Sequence, residues 1–229
     1  MQPSFYVVAG PNGVGKSTAS FQYLSEGVEL INSDDIARQI RHQQQHQEVV
    51  QRMTNEESQR RIQTHLKNRE TFAVETNLHE ADTWQYFLAL QQAGYAFRLI
   101  FMCVDDLTVL NQRVISRYQQ GGHFVREDII RGRYEAGLLL LNHFFDEPDV
   151  LMLIDGSAQP ELIFQRIDRE VKFQNTPLPE WVIKHLSTHF QDIPPATPTT
   201  SLSSIDGVRT RYNQLKQTPI QTPDEPSRL

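Results

Sequence analysis

An α/β fold with a doubly wound parallel sheet of five strands is what this sequence predicts. Short apolar runs alternate with longer amphipathic ones, which implies βαβ units with helices on both faces of a sheet. A glycine-rich segment, Gly10 to Thr18, joins the first apolar run directly to the first amphipathic one. No self-similarity recurs at the periods of repeat proteins. At 229 residues the chain has room for one such domain and an appendage.

The first strand is expected over Phe5–Ala9, a short run rich in β-formers and suited to a buried parallel position. The segment Gly10-Pro11-Asn12-Gly13-Val14-Gly15-Lys16-Ser17-Thr18 fits G-x-x-x-x-G-K-[S/T], the phosphate-binding loop of nucleoside triphosphate enzymes. Its glycines permit tight turns and close backbone approach. Its N–H groups converge on an anion where a helix begins. Lys16 is expected at the β- and γ-phosphates of ATP and the Ser17 hydroxyl at Mg²⁺. A helix over Ser17–Leu24 completes the strand–loop–helix context that the motif requires. The fold expected is therefore that of the phosphate-loop NTPases, of the nucleotide-kinase type.

The remaining strands are expected at Val28–Ile31, Phe72–Glu75, Phe97–Val104 and Val150–Ile154, with helices at Ala81–Ala93, Leu107–Tyr118 and Glu127–Phe145. Between the second and third strands lies Ile36–Arg69, polar, glutamine-rich and sparse in apolar residues. It predicts two or more helices partly clear of the sheet, either a substrate-covering insertion (36–70) or a solvated hairpin. The kinase domain is expected over 1–175 and an amphipathic C-terminal helix within 176–190. From 191 to 229 the chain is Pro/Thr/Ser-rich and carries half of the twelve prolines. Such a tail cannot bury enough apolar surface to offset its ordering entropy, so disorder is expected, with a short helix at Gly207–Gln217.

A formal charge of −6 with no long basic run argues against a nucleic-acid partner. The single Cys103 excludes an intrachain disulfide framework and falls in an apolar strand. No apolar stretch approaches the ~20 residues of a membrane span. The N-terminus runs straight into the phosphate-loop strand without a signal-peptide shape, so a cytoplasmic protein is expected.

Ligand groups gather outside the carboxyl ends of the strands in open α/β sheets. After the second strand comes Asn32-Ser33-Asp34-Asp35-Ile36-Ala37-Arg38. Either aspartate can take the proton of an attacking hydroxyl, and either can cap the following helix. Arg38 is a candidate substrate contact one turn on. After the third strand, Glu75 is expected to bind metal or substrate, with Thr76 and Asn77 as substrate contacts or turn residues. Arginines 113, 117, 126, 131 and 133 surround a Gly121-Gly122 hinge, so residues 119–134 form a candidate lid. Guanidinium groups there suit a transferring phosphate, and His123 suits a phosphate contact or a turn cap.

Taken together, the phosphate loop, Asn32-Ser33-Asp34, Glu75-Thr76-Asn77-Leu78, Arg117 with Gly121-Gly122-His123, and Ile130-Arg131-Gly132-Arg133-Tyr134 resemble the zeta toxin family. The order is preserved over Phe5 to Gly156. Three departures are a glycine between Arg131 and Arg133, Arg126 where zeta-like proteins carry a proline, and a histidine where zeta proteins carry a lid arginine. The resemblance implies a kinase that uses ATP and Mg²⁺ to phosphorylate a sugar hydroxyl of UDP-N-acetylglucosamine or a related nucleotide. It assigns Asp34 as general base, Glu75 to substrate orientation and Arg117 to the transferring phosphate, with Arg131 or Arg133 assisting. It also raises an antitoxin protein as a partner. The rival readings are a nucleoside, nucleotide or polynucleotide kinase and a regulatory nucleotide-binding ATPase.

Overall fold

Strand β1 (Ser4–Ala9) is buried along its whole length, as an unbroken apolar run between two helical layers must be. The computed structural model of the chain describes residues 2–44, 46–120, 122 and 124–190. After β1 come α1 (Lys16–Tyr23), β2 (Glu29–Ile31), α2 (Ser33–Arg41), α3 (Gln47–Asn68), β3 (Phe72–Thr76) and α4 (Ala81–Gln92). Then follow β4 (Ala96–Cys103), α5 (Leu107–Gln119), α6 (Glu127–His143), β5 (Val150–Asp155), β6 (Glu161–Ile167), β7 (Glu170–Gln174), α7 (Glu180–Leu186) and a 3₁₀ turn over Ser187–His189.

The sheet order is β2-β3-β1-β4-β5-β6-β7. The first five strands pair in parallel. The chain leaves β1 towards β2 on one side and later crosses to β4 on the other. The strand order therefore reverses at β1, the position beyond whose carboxyl end open α/β sheets bind their ligands. The sheet is larger than the five strands expected. β6 and β7 extend it in antiparallel fashion beyond β5.

One face of the sheet is an aromatic layer. Phe5 and Phe97 stack at 4.8 Å across β1 and β4, and Phe87 of α4 leans on both. Trp84 of α4 stacks on Phe144 at 4.9 Å, which ties α4 to the end of α6. Trp181 of α7 is fully buried near Phe101. Such rings bury ~150–250 Å² each and dominate core energetics. Cys103 is buried at the end of β4. Among the described residues no helix is long and apolar enough to cross a membrane.

The added strands are anchored by a buried arginine. Arg166 of β6 is 4 % exposed. Its guanidinium donates to the carbonyls of Phe145 (2.8 Å) and Pro148 (3.2 Å) and to that of Asp168. It also lies over the Phe145 ring at 5.9 Å. Burial lowers its pKa, while Asp146, Asp149 and Asp168 pull it back up. Arg166→Leu is expected to cost about 3 kcal/mol, because each buried carbonyl that loses its donor costs ~1–3 kcal/mol. Urea unfolding measures this. A midpoint equal to that of the parent chain would show that the contacts do not hold the sheet extension.

Candidate active site at the end of strand β1

The loop after β1 turns through glycines whose hydrogens face protein backbone. A Cβ on Gly10 (φ 137°) would stand 2.1 Å from the carbonyl oxygen of Met102 in β4. One on Gly13 (φ 83°) would stand 2.6 Å from that of Leu110 in α5. Close approach at these two positions is thus to the protein itself. It presses the loop between β4 and α5. α1 then begins at Lys16 with Gly15 as its N-cap, no side-chain cap and no acidic residue in the first turn. Its leading N–H groups and the positive end of its dipole are left for an anion.

Lys16 curls back over this loop. It is 7 % exposed, and its ammonium donates to the carbonyls of Gly10 (2.7 Å) and Pro11 (3.2 Å) and to Asn77 Oδ1 (3.2 Å). Burial lowers its pKa to about 8. Glu75 and Asp34 pull it up, and Arg117 and Arg133 push it down, so all four charges act on this one ammonium.

On the other side of the loop Ser17 Oγ donates to Glu75 Oε1 at 3.0 Å. Asn32 Nδ2 donates to Glu75 Oε2 at 2.9 Å and approaches Ser17 Oγ at 3.4 Å. Burial raises the pKa of Glu75, while Lys16 and the Ser17 hydroxyl pull it back. Asn32 is also the N-cap of α2. Its Oδ1 accepts from the backbone N–H groups of Asp34 (2.8 Å) and Asp35 (3.4 Å). The expectation that one aspartate caps this helix is therefore corrected. Asn32 fills that place because its extended backbone and short amide reach both N–H groups.

The two aspartates then face different partners. Asp34 Oδ2 lies 3.8 Å from an Nη of Arg117, at the end of α5. Asp35 pairs with Arg38 at 3.0 Å along the exposed side of α2, so Arg38 is engaged within its own helix. Arg133 of α6 donates to Asn12 Oδ1 in the loop at 2.8 Å. Arg131 instead pairs with Glu127 one turn back on the exposed face of α6, and Arg126 pairs with Asp128. Arg113 donates to the carbonyls of Gly156 (2.8 Å) and Ser157 (3.2 Å) at the turn after β5. Thr76 Oγ1 accepts from the N–H of Leu78, a turn role. Residues 127–134 of the expected lid are the first turns of α6. Gly121, His123 and the tail from 191 lie outside the described residues, and with them the expected His123 contact and the helix at Gly207–Gln217.

Sequence reasoning placed Asn12 in the phosphate loop without foreseeing its bond to Arg133, and gave Asn32 no task of its own. The available signal was Asn32 directly before Ser-Asp-Asp at a strand end, an N-cap pattern. Ser17 and Glu75 offer hard oxygen donors within hydrogen-bond reach of each other. Among the described residues no three His, Cys, Asp or Glu side chains converge on one point. Two hard oxygen donors of this kind fit Mg²⁺, which takes one or two protein oxygens and fills its shell with phosphate oxygens and water.

This architecture recurs in known proteins. An uncharacterised protein of Haemophilus influenzae is 27 % identical over 139 residues, 58 % of this chain and 94 % of that one. The structure of the PezAT chromosomal toxin–antitoxin system of Streptococcus pneumoniae superposes with a TM-score of 0.55 at 14 % identity, over 94 % of this chain and 88 % of that chain. That of AvrRxo1-ORF1:-ORF2 with ATP gives 0.59 at 12 % identity, over 85 % of this chain and 66 % of that chain. At such identities these two structures share the fold. The family profile described as AAA domain matches residues 6–135, more than half of the 229. Phosphate loop, strand order and this match agree, and the chain belongs to the AAA domain family.

Proposed function

We propose that the protein is an ATP-dependent kinase that transfers the γ-phosphoryl group to a hydroxyl of a UDP-activated sugar or a related nucleotide. The observation that carries this reading is the juxtaposition of Asp34 and Arg117 beside the buried Lys16 at the end of β1. A phosphate loop alone serves any nucleotide-binding protein. A carboxylate and an arginine held beside it are what transfer to a second molecule needs.

In this reading the N–H groups at the start of α1 and the Lys16 ammonium receive the β- and γ-phosphates. Bound Mg²⁺ supplies charge neutralisation on the phosphate oxygens. Ser17 and Glu75 are the side chains that would hold it. Asp34 accepts the proton of the acceptor hydroxyl as its oxygen attacks. Arg117 and Arg133 compensate the charge that builds on the equatorial oxygens. The Arg117–Asp34 pair is long and well exposed, 41 % and 59 % at the side chains, so it is weak enough to open for the two substrates. The UDP-sugar class comes from the resemblance to zeta toxins. An antitoxin partner, as the toxin–antitoxin neighbour suggests, belongs to this reading only if expression of the active chain arrests growth.

Phosphorus NMR of ATP with a panel of UDP-sugars, nucleosides and buffer alone tests the class. A new sugar-phosphate resonance with a UDP-sugar is expected. A product only with nucleosides moves the acceptor class, and ADP release without any acceptor makes the protein a plain ATPase.

Asp34→Asn is expected to lower kcat by about 10²–10⁴, the usual range for a general base, with ATP affinity within about threefold. Loss of activity in Asp35→Asn with full activity in Asp34→Asn would overturn the assignment.

Affinity for ATP is also expected to depend on pH. Below pH about 8 the ammonium of Lys16 is charged in the free protein. Above it, binding must take up a proton, so the association constant falls by up to about tenfold per pH unit. Titration calorimetry between pH 7 and 10 (roughly the range that spans both states of a lysine) reads this slope. Lys16→Met should bind weakly and without it. An equal slope in Lys16→Met would remove Lys16 as the titrating group.

A further inference from the structure

We infer that Asn32 is a positioning residue which fixes the metal-side pair and the base-bearing helix against each other. The inference rests on the kinase reading for its functional meaning but on separate observations for its geometry.

The side chain is 5 % exposed, and both ends of its amide are used. Its orientation is set by its partners. Backbone N–H groups can only donate, so the oxygen must face Asp34 and Asp35. An ionised carboxylate can only accept, so the nitrogen must face Glu75. A flipped amide would break both sets together. Ser17, Glu75 and Asn32 then close a triangle: Ser17 donates to one carboxylate oxygen, Asn32 donates to the other, and the amide also approaches the Ser17 oxygen.

The consequence is a mechanical link. Ser17 belongs to α1 and Glu75 to β3, while Asp34 lies in the first turn of α2. β2 is three residues long and sits at the edge of the sheet, so it offers little backbone pairing to hold the start of α2. The Ser33–Ser58 hydroxyl contact ties the start of α2 to α3, and the Asn32 amide adds the constraint towards Glu75 and Ser17. It holds the Ser17 and Glu75 oxygens at a fixed spacing and sets where Asp34 begins its helix relative to them. Partners one shell out from a metal ligand commonly change metal affinity or activity by ~10–100-fold when removed.

Asn32→Ser separates this role from helix capping. Serine caps a helix about as well as asparagine but is too short to reach Glu75 while doing so. The melting temperature of the free protein is expected to fall by only about 2–6 °C, since one hydrogen bond is lost and the cap is kept. Affinity for a fluorescent ATP analogue in EDTA should stay within about twofold, while the Mg²⁺ concentration that half-saturates the metal-dependent tightening rises about tenfold or more. In a turnover assay kcat should fall more than KM rises. Asn32→Thr, which also caps the helix but is too short to donate to Glu75, serves as the second folded variant. It should shift the Mg²⁺ midpoint and kcat in the same direction as Asn32→Ser.

A Mg²⁺ midpoint within twofold of the parent in a folded Asn32→Ser chain overturns the inference. So does a parent chain whose ATP binding ignores Mg²⁺. The binding readout needs no acceptor. A shifted midpoint without turnover of any acceptor leaves the positioning role standing and removes the kinase reading. Turnover with an unshifted midpoint does the reverse.

Discussion

A charged lysine almost out of reach of water is the constraint around which this molecule is arranged. Burial of the Lys16 ammonium would be costly without partners, and the loop supplies two carbonyls and an amide oxygen. Those partners neutralise no charge. Compensation has to come through space, from Glu75 and Asp34. Arg117 and Arg133 work against it, so the positive charges outnumber the two carboxylates that offset them. Such a site gains from any anion brought to it. A triphosphate beside the open start of α1 meets that need better than the protein's own carboxylates can.

The sheet is what makes this arrangement possible. Parallel register pairs Ala9 with Thr76 and Val8 with Glu75, so the ends of β1 and β3 arrive level. Asn77, the next residue, then stands where Lys16 folds back, and Glu75 stands opposite Ser17. Across β1 on the other side, Ala9 pairs with Phe101, and Met102 backs the turn at Gly10. A one-residue slip of β3 would exchange the faces of Glu75 and Thr76 and dismantle the site. The apolar core of β1, β3 and β4 is therefore also the device that aligns its polar ends.

How much of this is legible in the sequence follows from how local each feature is. The phosphate loop is legible because its conformation depends on residues within one short segment. β1, β4 and β5 are legible because burial on both faces demands unbroken apolar runs. β6 and β7 are not. Glu161–Ile167 mixes charged and apolar residues, with Arg166 buried only because distant carbonyls receive it. Glu170–Gln174 is a mostly exposed edge strand with no apolar run to mark it. In the glutamine-rich stretch more than one helix is expected, but the position of the break between α2 and α3 is not legible, since no proline or glycine stands there. At the site, Lys16, Ser17 and Glu75 stand out by residue type. The pairing of Arg133 with Asn12 does not, because 121 residues separate them and only the packing of α6 against the loop brings them together.

The arginines show what the fold adds beyond residue type. Five stand close in sequence, and composition cannot rank them. Helical geometry does. Arg131 and Arg133 sit two residues apart on α6, so their side chains diverge by about 200° around the helix. One meets Glu127 on the exposed face and the other meets Asn12 in the phosphate loop. Arg113 and Arg117 share a face of α5 at a spacing of one turn, yet Arg113 is spent on the carbonyls after β5, while Arg117 reaches Asp34. Arg117 and Arg133 are thereby set apart from the rest. In the proposed kinase an incoming phosphate oxygen would take the place of each partner, a long exposed ion pair for Arg117 and a neutral amide oxygen for Arg133. The ligand-free partners Asp34 and Asn12 keep the two guanidinium groups near the loop at little energetic cost, which shortens the rearrangement that binding would require.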